Sequence, residues 1–102
     1  MGSEKYILDK DNNPVLEKNV LKWGIWLEKS DRHVSSTHID TVHVSTVFLG
    51  LDHNYGAGPP ILWETMIFGG ENDEYQERYS SYSDAVAGHN KAVNAVLNNI
   101  KL

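Results

Sequence analysis

Two apolar runs rich in β-branched residues dominate the chain. The first is Val44-Ser45-Thr46-Val47-Phe48-Leu49-Gly50-Leu51-Asp52-His53, and the second runs from Ile61 through Phe68 to Gly69-Gly70. Bounded by Gly, Pro and Asn, such runs read as strands, and the segment between them reads as the loop of a central hairpin. Asp52 to Pro60 is that loop by composition, and Pro59-Pro60 imposes an extended approach to the second strand.

The first run belongs to a longer β-like segment, from about Val34 to Leu51. Its opening half alternates, with Val42 and Val44 facing one way and Thr41, His43 and Ser45 the other, whereas Val47 to Leu51 is apolar on both faces. That change describes a strand entering the middle of a sheet from an exposed end. Tyr6-Ile7-Leu8 and Val15-Leu16, separated by turn formers from Asp9 to Pro14, predict a small hairpin. Tyr75 to Tyr79 predicts a returning edge strand after the Glu71–Glu74 turn.

Two helices complete the pattern. Asn19 is the expected N-cap of one that continues to Lys29, with Val20, Trp23, Gly24 and Leu27 on a shared face and Ile25 and Trp26 off it. Gly24 suggests close approach of another backbone. Ser81 with Asp84 starts the second in the manner of a capping box. Ala85, Val86, His89, Ala92, Val93, Val96, Leu97 and Ile100 keep helical spacing after it. The expectation is an α+β fold: a small antiparallel sheet of three to five strands with two helices packed on one face.

With 102 residues the chain is expected to be one domain spanning 1–102. A chain of this length buries roughly 60–65% of its unfolded surface and folds without staples. Cysteine is absent, which excludes disulfides, thiolate metal sites and a Cys nucleophile. No apolar run reaches the roughly 20 residues of a membrane span and no secretory core follows Met1, so a cytoplasmic setting is expected. Met1-Gly2-Ser3 is a poor myristoylation start, because Tyr6 stands where Ser or Thr is required.

The net charge of −5 is uneven: from Asp52 to Asp84 seven acids face Arg78 alone. Nucleic-acid binding requires clustered Lys and Arg, which are missing, so no nucleic-acid partner is expected. The acidic middle, with Glu71, Asp73 and Glu74, is suited to a basic partner surface or to solvation. Trp26 and Tyr55 add the aromatic side chains that interfaces favour, and self-association through Trp26 is a related expectation.

Chemistry has few places to reside. Tight pairing of the two long strands sets Leu49 near Trp63 and Phe48 near Glu64, and puts Glu64 on a face with Leu62, Met66 and Phe68. There a carboxylate needs Arg, His or backbone donors. Arg78 and His89 are the available partners, in either an acid–base pair or a structural one. Asp52-His53 at the strand exit is the other candidate, set against ordinary turn chemistry. A small enzyme or ligand-binding domain with a pocket built from Asp52, His53, Glu64, Arg78 and His89 is therefore one expectation, and a binding or inhibitory contact surface with no catalytic residue is the leading one. His33, His38 and His43 are five apart and alternate faces along a single strand, so no metal site and no cofactor are expected.

The strings VSTVFLGLDH (Val44–His53), PPILWETMIFGG (Pro59–Gly70) and ERYSSYSDAVAGH (Glu77–His89) resemble segments of short uncharacterised bacteriophage and prophage proteins. The resemblance covers about the second half of the chain. It implies a viral or viral-derived accessory protein and transfers no catalytic assignment.

Overall fold

The computed structural model describes residues 4–102; the Met1–Ser3 opening lies outside the described residues. In chain order the elements are β1 (Tyr6–Leu8), β2 (Pro14–Leu16), α1 (Val20–Lys29), β3 (His33–Ile39), β4 (Val42–Phe48), β5 (Trp63–Phe68), β6 (Gln76–Tyr79) and α2 (Tyr82–Leu97). β1 and β2 form a hairpin, and β3-β4-β5-β6 form an antiparallel meander. This is the expected α+β architecture, with four strands in the main sheet.

The single β segment expected from Val34 onward is two strands. Asp40 adopts φ +52° and turns the chain at Asp40-Thr41, so that Ile39 faces Val42. Asp tolerates this left-handed conformation better than most residues, but Asp-Thr lacks the glycine that usually advertises such a turn. The central register also differs by one residue from tight closure: Phe48 pairs with Trp63 and Val47 with Glu64. A one-residue shift exchanges which side chains face each other across the sheet, and it leaves Glu64 opposite Val47.

Alternation then sorts the sheet. Val44, Thr46 and Phe48 of β4 share a face with Trp63, Thr65 and Ile67 of β5, and all six are buried. α2 covers this face, with Ala85, Gly88, His89, Ala92 and Ala95 turned inward. Ser81 Oγ accepts from the Asp84 amide at its start, a cap contributing about 1 kcal/mol. The helix stops at Leu97 rather than Ile100. Asn99 adopts φ +52°, and the amides of Asn99 and Ile100 donate to Val96 and Ala95 in a Schellman closure. Asn72, in the β5–β6 turn, donates to the Ile100 carbonyl and accepts from the Leu102 amide, fixing the tail beside the sheet.

α1 joins the same face at one end. Asn19 accepts from the Lys22 amide as its N-cap. Trp26 packs edge-on against Phe48 at 5.7 Å between ring centroids, and Trp23 Nε1 donates to the Gly50 carbonyl. Gly50 sits at φ +79°, where a Cβ would meet Leu27 at 2.8 Å, so this junction requires glycine. The inward stripe of α1 is therefore Trp23, Trp26 and Leu27. Val20 and Gly24, expected on that stripe, face outward, and nothing lies within 4 Å of a Cβ at Gly24.

Candidate functional site

Beneath α2 lies a ladder of hydrogen-bonded side chains crossing four strands of the main sheet and the helix. His89 is 3% exposed. Its Nε2 is 2.8 Å from Thr37 Oγ1 on β3, and its Nδ1 is 2.7 Å from Thr46 Oγ1 on β4. Thr46 meets Thr65 Oγ1 on β5 at 2.6 Å, and the Tyr79 hydroxyl on β6 donates to Thr65 at 3.0 Å. One arrangement satisfies all four contacts of the ladder. Tyr79 donates to Thr65, Thr65 to Thr46 and Thr46 to His89 Nδ1, which leaves the ring proton on Nε2 to be donated to Thr37. His89 is thus neutral. Burial, reinforced by the positive potential of His43, holds its pKa below the usual histidine value, and burial raises that of Tyr79. With both ring nitrogens committed and the ring enclosed, His89 fastens α2 to the sheet.

Gly88 belongs to the same assembly. A Cβ there would lie 2.0 Å from the Tyr79 hydroxyl and 2.3 Å from its ring, so the absent side chain is what admits the phenol. The Thr residues, Tyr79 and Gly88 were not singled out by sequence reasoning. The available signal was Thr46 and Thr65 at core-facing positions of otherwise apolar strands, together with a Gly-His step on the buried face of α2.

Glu64 lies on the other side of the sheet. It accepts from Arg78 Nε at 2.9 Å and from Gln76 Nε2, both on the neighbouring strand, and is 9% exposed. Glu64 and Arg78 therefore meet as expected, whereas the sheet separates them from His89, and a Glu64/His89 acid–base pair does not form. The reason is the pleat: Thr65, not Glu64, faces α2. Because Arg78 remains half-exposed, solvent screens the pair. Glu64→Gln is expected to lower stability by about 1 kcal/mol, since Gln keeps part of the hydrogen bonding; a urea melt of the variant checks this.

Asp52 and His53 are tied into the loop that follows β4. Asp52 Oδ1 accepts from the amides of Asn54 and Ile61, and His53 Nδ1 bonds the Leu51 carbonyl. Asn54 braces the Gly/Pro loop through the carbonyls of Ala57 and Pro59, leaving Tyr55 74% exposed. Their roles here are turn chemistry. His38 and His43, expected to alternate faces, are stacked 4.2 Å apart because the Asp40-Thr41 turn makes them cross-strand neighbours. Burial, then the charges of His38 and His33, depress the His43 pKa. Among the described residues no group of three or more His, Cys, Asp or Glu side chains could hold a metal.

Two surfaces remain. Glu71, Asp73 and Glu74 are exposed in the β5–β6 turn, at the end of the sheet away from α1; Asp73 also accepts from the Gly69 amide. At the other end, Val15 and Leu16 of β2 and Val20, Leu21 and Ile25 of α1 are 39–73% exposed. Leu16 and Val20 line a depression of about 200 Å³ with Glu4, Lys5, Glu17 and Lys18. Trp26, expected on an interface, instead packs inward against Phe48. Among the described residues no helix is long and apolar enough to cross a membrane. No family model matches the chain, and neither a curated protein nor a solved structure does.

Proposed function

We propose that the protein acts by contact with a protein partner, as a small binding or inhibitory module, through the apolar outer surface of α1 and β2. One observation carries this reading: Val20, Leu21 and Ile25 are exposed together on α1, and Val20 lines one depression with Leu16 of β2. Contiguous exposed apolar side chains rimmed by charge mark interaction surfaces, and Lys18 and Lys22 supply that rim. The phage-type segments of the second half agree with an accessory factor working in the cytoplasm, of the host cell if viral.

Leu21→Glu combined with Ile25→Glu is expected to leave the fold intact, because both side chains are solvent-facing, and to abolish partner recovery in affinity purification. Recovery unchanged in this variant would remove the surface from the account. A second reading, contact with a basic surface through Glu71, Asp73 and Glu74, is favoured by the exposure of all three in one turn. Salt separates the two readings, since an apolar contact persists at 1 M salt while an exposed electrostatic one is screened.

A further inference from the structure

We infer that the outer edge of β6, beneath the flank of α2, is a binding site for an extended peptide segment that joins the sheet as a fifth strand. This surface is separate from that of α1 and β2.

β6 is an edge strand in the order β3-β4-β5-β6. The carbonyls of Tyr75 and Tyr79 accept from the amides of Ile67 and Leu62, so these residues, and Glu77 in phase with them, direct their backbone groups toward β5. Alternation then turns the N–H and C=O of Gln76 and Arg78 outward. A strand added here gains main-chain hydrogen bonds, the basis of recognition by strand addition.

Beside this edge runs a groove of about 440 Å³ between β6 and α2. Ala87 and Gly88 give it a small lining; Asp84 stands at one end, and at the other Lys91 is matched by Glu77. Lys91 reaches Glu77 at 3.4 Å, while Asp84 forms no ion pair among the described residues. The Tyr75 hydroxyl, aided by Lys91 and opposed by burial, holds the Glu77 carboxyl below its ordinary range. The groove thus keeps a fixed order, with a carboxylate outside any ion pair of the described residues at the Asp84 end and a neutralised pair at the other.

That order sets the peptide's polarity. α2 runs antiparallel to β6, because Gly88 lies over Tyr79 and Lys91 over Glu77. A peptide antiparallel to β6 therefore runs alongside α2 from Asp84 toward Lys91, about 10 Å along the helix. It carries a basic side chain early, facing Asp84, and a small or apolar one over Ala87, on alternate positions, with no acidic side chain opposite Glu77.

The test uses fluorescein-labelled heptapeptides Thr-Lys-Thr-Xaa-Thr-Thr-Thr, with Xaa as Ala, Val, Leu or Phe, and a charge-reversed set with Glu in place of Lys. Anisotropy is expected to show about tenfold tighter binding of the first set, as an ion pair with Asp84 against a like-charge repulsion there allows. The amides of Gln76 and Arg78 are expected to shift in nitrogen–proton spectra. Asp84→Asn is expected to abolish the preference between the sets, and Gln76→Pro, at an outward N–H, to weaken both. Equal binding of the two sets by the unaltered protein would overturn the proposal. So would unmoved Gln76 and Arg78 amides, or self-association through this edge.

Discussion

Gly88→Ala is expected to be among the most damaging single-methyl additions in this protein. The new Cβ would overlap the Tyr79 hydroxyl and ring at 2.0–2.5 Å. The phenol cannot swing aside freely, because it is buried and donates to Thr65. Either α2 lifts from β6 or Tyr79 leaves the core, and such overpacking costs about 3 kcal/mol or more. For a chain of this size that lowers the midpoint of thermal unfolding by roughly 12–20 °C. Tyr79→Val in the same chain should make the second change less harmful than the two costs added, since each removes the reason for the other. Calorimetry of the four proteins in the cycle measures this directly, and strict additivity would show that the two residues do not share the contact.

His89→Leu is expected to cost about 3 kcal/mol by a different route. Leucine fills much of the volume but takes the side-chain partner from Thr37 and leaves Thr46 bonded to Thr65 alone, and buried polar groups that lose a partner cost about 1–3 kcal/mol each. The same residue makes stability depend on pH. Its pKa in the folded state is depressed from 6.5 by burial, so between the folded and unfolded values the unfolded chain binds more protons. The His89 contribution is therefore full above about pH 6.5 and is lost as pH falls toward the folded value. His43, also depressed, acts in the same direction. Urea midpoints of the native protein should fall on acidification through this window, and His89→Leu should flatten that dependence.

The elements with strong local signals were legible from the sequence. Asn19 and Ser81 cap the helices because their side-chain oxygens accept hydrogen bonds from amides of the first turn, a purely local requirement. The β3–β4 turn was not legible, since Asp40 reaches positive φ without the usual glycine. That omission also hid the His38–His43 stack, which depends on cross-strand neighbours rather than on spacing along one strand. Glu64 and Arg78 could be associated from chemistry, but the face they occupy depended on a register set one residue away from tight closure. The orientation of α1 is a tertiary outcome: Trp23, Trp26 and Leu27 bury more apolar surface than the stripe containing Gly24 could, and the helix rotates accordingly.

The central claim is that α1 meets a partner through its outward stripe, and photocrosslinking tests it most directly. A photoreactive side chain replaces Leu21, 73% exposed on α1, or Asn90 on the wet side of α2, and each protein is irradiated in the cells that produce it. The account predicts one discrete crosslinked protein from position 21 that is absent from position 90. A position 21 that yields no adduct, or the same adducts as position 90, would contradict it.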